Sequence, residues 1–296
     1  MDEKLTKTID KIELLCKQNS EFDAELRKRL GVTSAQIATG NNLVEEIYEY
    51  CIETVVKRHA MEFYSDFPIA SIVDNLIGDF CRMETFYRKD CFGDFCLALY
   101  QQIECITNKV CTNSDLEEIT RNMWGIPAYI KTGEGIEPKM ENRSGKYQIA
   151  SLLFGKYAAE KSKQSIQAMY AKDKMRVVVY FLGFKAAMKN SDYDCFVGIN
   201  NLLSDIYQCR NTNHRGNVLQ PWESEILNRV LSVKALYYLK FYGALSLFVE
   251  MVKNGWGELS TIKSYSRTVQ PIPVKIGGPN VCGKINLVDD GKRRFK

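Results

Sequence analysis

Histidine and proline are scarce in this chain, at 2 and 7 of 296 residues. So few histidines, with no Cys-x-x-Cys pair among the 10 cysteines, leave no zinc site of ordinary spacing. Gly133-Glu-Gly135 stands alone in a Pro/Gly-rich stretch, so there is no glycine-rich phosphate loop. Gly-x-Ser-x-Gly, His-Glu-x-x-His and acidic metal-binding patterns are also missing. The expectation is a protein that uses no metal and no cofactor.

Long apolar runs are lacking as well. Stretches such as Val177 to Phe184 fall far short of a membrane span. The N-terminal MDEKLTKTIDKIELL is charged and amphipathic, unlike the unbroken apolar core of a signal peptide. Without an export signal, the cysteines point to a reducing cytosol, where they pack as small hydrophobes. The charge is balanced too, with 40 basic against 36 acidic residues and a net +4. That is too mild for a wholly nucleic-acid-coated surface, although a local basic patch fits.

What is present is helical periodicity. Residues 3–31 read as one or two amphipathic helices, and a longer one spans about 43–63, with His59 as a structural histidine near its end. Phe67-Pro68 ends that helix, and the next runs through Ile72, Leu76 and Phe80. Phe92, Phe95, Leu99, Gln102, Ile103 and Ile106 then line a long amphipathic helix. Glu104 is the one acidic residue between Phe95 and Asn108, either a solvated edge position or a polar group facing a site. Residues 125–146, with two prolines and four glycines, read as a loop or mobile insertion. Met175 to Phe181 is β-branched and aromatic, but its continuation through Met188 favours helix over strand. A strongly apolar helix is expected from Trp222 to Lys253. Past Trp256, three prolines between Val269 and Pro279 predict a small hairpin or an extended tail, closing on Lys292-Arg-Arg-Phe-Lys.

The most informative stretch is Ile206-Tyr-Gln-Cys-Arg-Asn-Thr-Asn-His-Arg-Gly-Asn217. Apolar residues recur at Phe196, Ile199, Leu203 and Ile206, and the same stripe, continued by four and four again, reaches Arg210 and His214. A charged group on a core face needs a partner: an anion, another chain, or its neighbour on the stripe.

Arg210-Asn211-Thr212-Asn213-His214, placed between two long helices, resembles the ribonuclease motif of the HEPN superfamily, Arg-(Asn/Asp/His)-x-x-x-His. The segment 88–108 is similar to the first helix of those domains, with Glu104 in the place of their inward acidic residue. The likeness covers roughly 88–254. The usual motif sets the histidine five residues after the arginine, and here it is four. Those spacings differ by about 100° around a helix. A local distortion, or a helix that ends at the motif near Gly216 and Asn217, is then expected to restore the common geometry.

The resemblance implies an all-α protein. Residues 1–83 form an N-terminal helical region, 84–256 a HEPN-like bundle, and 257–296 an irregular or small-β basic tail. It further implies a metal-independent endoribonuclease, acting as a toxin or antiphage effector on RNA. The motif would pair across a homodimer, with an antitoxin or regulatory partner as a further binder and no membrane involved. Arg210, Asn211, His214 and Glu104 would be catalytic, and Arg215 and Asn213 would contact RNA; outside the likeness, the basic Lys292, Arg293 and Arg294 are either further RNA contacts or solvated. Two rival readings stand beside it. One is a non-catalytic helical interaction protein in which the Arg/His pair fixes an interface, with Tyr207 and Trp222 as anchors. The other is an RNA-binding subunit whose binding survives loss of His214.

Overall fold

The protein is all-α in class. The computed structural model describes residues 3–30, 42–132, 135–137, 146–187, 193–214 and 220–268. The chain divides into two compact units, Met1–Phe63 and Tyr64–Lys296.

The first unit holds α1 (Glu3–Gln18), α2 (Ser20–Leu30) and α3 (Asn42–Phe63). Asn19 separates α1 from α2, and its side chain accepts hydrogen bonds from the Glu21 and Phe22 amides, capping the new helix. His59 is exposed on α3.

The second unit is built around α5 (Phe92–Val110). Its faces pack against α4 (Val73–Arg88), α9 (Ala171–Val178), α10 (Tyr193–His214) and α12 (Lys234–Trp256). Phe95, Leu99, Ile103 and Ile106 of α5 are buried with Leu76 and Phe80 of α4, Leu203 and Ile206 of α10, and Phe241 and Phe248 of α12. Gln102, on the apolar side of α5, is completely buried and fully engaged. It accepts from the Tyr64 hydroxyl at 2.7 Å and donates to the Ala98 carbonyl at 3.1 Å. Because α4 packs so extensively on α5, residues 64–83 belong with the second unit, and the boundary lies about twenty residues earlier than position 83.

Around this centre lie α6 (Ser114–Met123), α7 (Ile149–Phe154), α8 (Ala158–Lys161), α11 (Pro221–Leu231) and α13 (Leu259–Ser266). Asn113 caps α6 through its side chain, at 2.8 Å from the Asp115 amide and 3.2 Å from that of Leu116. Asn113→Ala is therefore expected to lower stability by about 1 kcal/mol in chemical denaturation, whereas Asn113→Asp is nearly neutral.

Several expectations change. Residues 125–146 contain strands: β1 (Pro127–Thr132) pairs antiparallel with β2 (Gly135–Glu137) and with β3 (Lys146–Gln148), in the order β2-β1-β3. Glycines and prolines that read as a loop instead punctuate short strands, with Pro127 at a strand start, where its missing amide costs least. The apolar 222–253 stretch is two helices, α11 and α12. Ser232 turns its hydroxyl onto the Arg229 carbonyl, and Val233 leaves the helical region at φ −134° and ψ 44°. Residues 257–268 are not irregular either, since α13 packs on α6 and its end is held by Arg267 and Lys263 against Glu118. The proposed 274–288 hairpin lies outside the described residues.

Met175 to Phe181 is helical, but α9 gives way to a π-helical stretch over Val179–Ala187. This segment packs closely along α12. The α12 helix is long and apolar enough to cross a membrane, and within the fold its Phe241, Leu245, Phe248 and Val252 are core residues.

Candidate functional site

The stripe that ends in Arg210 does turn inward. Phe196, Ile199, Leu203 and Ile206 of α10 are all buried, and Arg210 continues their face half-buried. What it meets is an aromatic ring. The Arg210 guanidinium lies over Tyr100 of α5, 5.1 Å from the ring centroid, within range of a cation–π attraction. Its Nη1 donates to Asn211 Oδ1 at 3.0 Å. Its Nε is buried and has no hydrogen-bond partner among the described residues.

Tyr100 is itself buried, with 1% of its surface exposed. Its hydroxyl donates toward Glu104 Oε1 at 3.5 Å, one helical turn further along α5. The Tyr207 ring on α10 meets Tyr100 edge-on, with centroids 5.6 Å apart. Burial, then the nearby charge of Glu104, pushes the Tyr100 phenol well above its ordinary range, so it remains a neutral donor at physiological pH. Arg210 and Glu104, far apart in sequence, thus meet on one tyrosine, with Asn211 bonded to the arginine.

The helix carries all five motif residues, and His214 is its last among the described residues. Along it the four-residue spacing turns by about 400°, so the backbone sites of Arg210 and His214 share one face, about 40° apart. The side chains of Asn213, His214 and Trp222 lie outside the described residues, as do all of Arg215, Lys292, Arg293 and Arg294.

Two elements of this region escaped the pattern reading. Tyr100 precedes Glu104 by one turn, the only signal that could have linked them. Asp205, buried on α10, receives Arg229 Nη2 of α11 on both carboxylate oxygens at 3.0 Å. That contact ties α11 to the motif helix. Asp205→Ala leaves the Arg229 charge without this carboxylate and is expected to cost about 2 kcal/mol, read as a drop in denaturation midpoint.

The cysteine beside the motif is packed in the core. Cys209 is buried, and its thiol meets that of Cys96 on α5. Burial, then this contact, pushes the Cys96 thiol well above its usual range, the opposite of an activated nucleophile. No group of three or more metal-binding side chains exists among the described residues.

No family model, curated protein or solved structure matches this chain. Its function has to be argued from the motif and from the geometry around Arg210.

Proposed function

We propose that the protein is a metal-independent endoribonuclease whose centre is the Arg210–His214 turn of α10. The observation that carries this reading is the half-buried Arg210, held by Tyr100 and Asn211 on the same helical face as the His214 position. A fixed guanidinium with a histidine one turn away suits phosphodiester transfer within RNA, which needs proton movement and stabilisation of charge on the phosphate. The ribose 2′-oxygen attacks phosphorus, and the P–O5′ bond breaks. His214 moves the proton, taking it from the 2′-hydroxyl or delivering it to the departing 5′-oxygen. Arg210 meets the negative charge that grows on the phosphate oxygens. The products are a 2′,3′-cyclic phosphate and a 5′-hydroxyl, and no metal enters. Likeness of the motif to HEPN ribonucleases supports a toxin or antiphage role, action as a homodimer across the motif face, and control by an antitoxin or regulatory partner. RNA cleavage in EDTA by the wild type, compared with Arg210→Ala and His214→Ala, tests the reading.

A second reading has its own observation. Leu231, Val233, Leu236 and Leu239 are each exposed, and they follow one another closely in sequence across the α11–α12 break. Such a run suits a protein-binding surface, so a non-catalytic interaction protein is the alternative. It predicts no cleavage, with loss of assembly rather than of activity in the motif variants.

A further inference from the structure

We infer that Tyr100 is the positioning residue of the site, holding the Arg210 guanidinium on its ring face, and that Glu104 acts on Arg210 only through the Tyr100 hydroxyl. This rests on the ribonuclease reading and assigns that site a residue outside the motif.

Four observations converge on it. The guanidinium carbon stands 5.1 Å from the centroid of a ring that is itself almost wholly buried. A buried ring is a fixed platform, because its packing against the core leaves it one rotamer. Tyr207, 5.6 Å away and edge-on, closes the flank. The hydroxyl leans on Glu104 at 3.5 Å, and no ion pair joins Glu104 to Arg210 among the described residues. Glu104 is therefore not placed to neutralise the arginine, but it is well placed to set the ring. Finally, Arg210 Nε is covered and has no hydrogen-bond partner among the described residues, while Nη1 is taken by Asn211. An arginine held by such weak polar partners depends on the ring for its orientation. An electron-rich face does this without neutralising the charge, as a carboxylate would, so the arginine keeps its full charge for a phosphate.

The test varies the ring face without changing its shape. In the full-length chain, Tyr100→Phe is followed by singly, doubly and triply fluorinated phenylalanines at the same position, each step drawing charge from the ring face. All of them pack as a phenyl ring, so a purely structural tyrosine would give a flat series. Two readouts are followed. One is the Nε–Hε resonance of Arg210, assigned by its loss in Arg210→Lys. The other is RNA cleavage in EDTA, separated into kcat and KM. The expected result is a resonance that moves stepwise toward that of a solvent-exposed arginine, with kcat falling about 2- to 30-fold across the series at near-constant KM. Glu104→Gln should lower kcat in the wild type and do nothing further in Tyr100→Phe. A stationary resonance overturns the inference, and so does a moving resonance with unchanged kcat. If the wild type cuts no RNA, the ribonuclease reading falls by itself, and the Tyr100–Arg210 contact is still decided by the resonance.

Discussion

His214→Ala is expected to lower RNA cleavage in EDTA by about 10³-fold while RNA affinity stays within a few-fold. The asymmetry follows from the division of labour. A histidine is the side chain that both gives and takes a proton near neutral pH, and alanine offers nothing in its place. The role assigned to this imidazole is to move the proton, so the loss falls on turnover. Arg210→Ala should cost about 10²- to 10³-fold in kcat and weaken binding as well, because its charge acts on both the bound and the reacting phosphate. Arg210→Lys should rescue part of the binding but little of the rate, since a point charge does not reproduce a planar fork held over Tyr100. The products are checked by end-group analysis for a 2′,3′-cyclic phosphate. Cleavage that survives in His214→Ala, or that requires added metal, would remove the proposed mechanism. All three variants must first be shown to fold and to keep the wild-type oligomeric state.

The largest expected stability effect comes from one glycine. A Cβ placed on Gly255, in the last turn of α12, would collide with the backbone carbonyl of Leu182 in the π-helical stretch. Backbone held on both sides cannot swing away as a side chain can. Gly255→Ala is therefore expected to destabilise by about 3 kcal/mol, seen as a lower urea midpoint and melting temperature. Gly243, on the same helix, is exposed and has nothing within 4 Å of an added Cβ. Gly243→Ala should instead stabilise by up to about 1 kcal/mol through helix propensity. The same substitution on one helix thus takes opposite signs. Equal effects at the two positions would show that α12 does not approach the π-helical stretch this closely.

Both sites bear on how far pattern reading reaches. The apolar period of 3 and 4 was enough to find α3, α4, α5 and α10, and to say which face of α5 and of α10 is buried. It also marked Arg210 as the residue at odds with its stripe. Periodicity works there because burial of one helical face leaves a mark on every turn. It failed between 125 and 148, where strands of three to six residues are too short to show alternation against their glycines and prolines. It ran α11 and α12 together, since Ser232 and Val233 suit a helix as individual residues and only the local side-chain bond tips them out of it.

By itself, then, the sequence determined that this is a helical protein with a charged intrusion on the buried face of one helix. It held the residue types for metal-free phosphodiester chemistry within five consecutive positions. Only the tertiary structure decided what Arg210 faces, that Glu104 reaches it no closer than through Tyr100, and which glycine of α12 must stay a glycine. The physical reason is common to all three. Each depends on the approach of two helices far apart in the chain, and a contact between such helices leaves no period in either one.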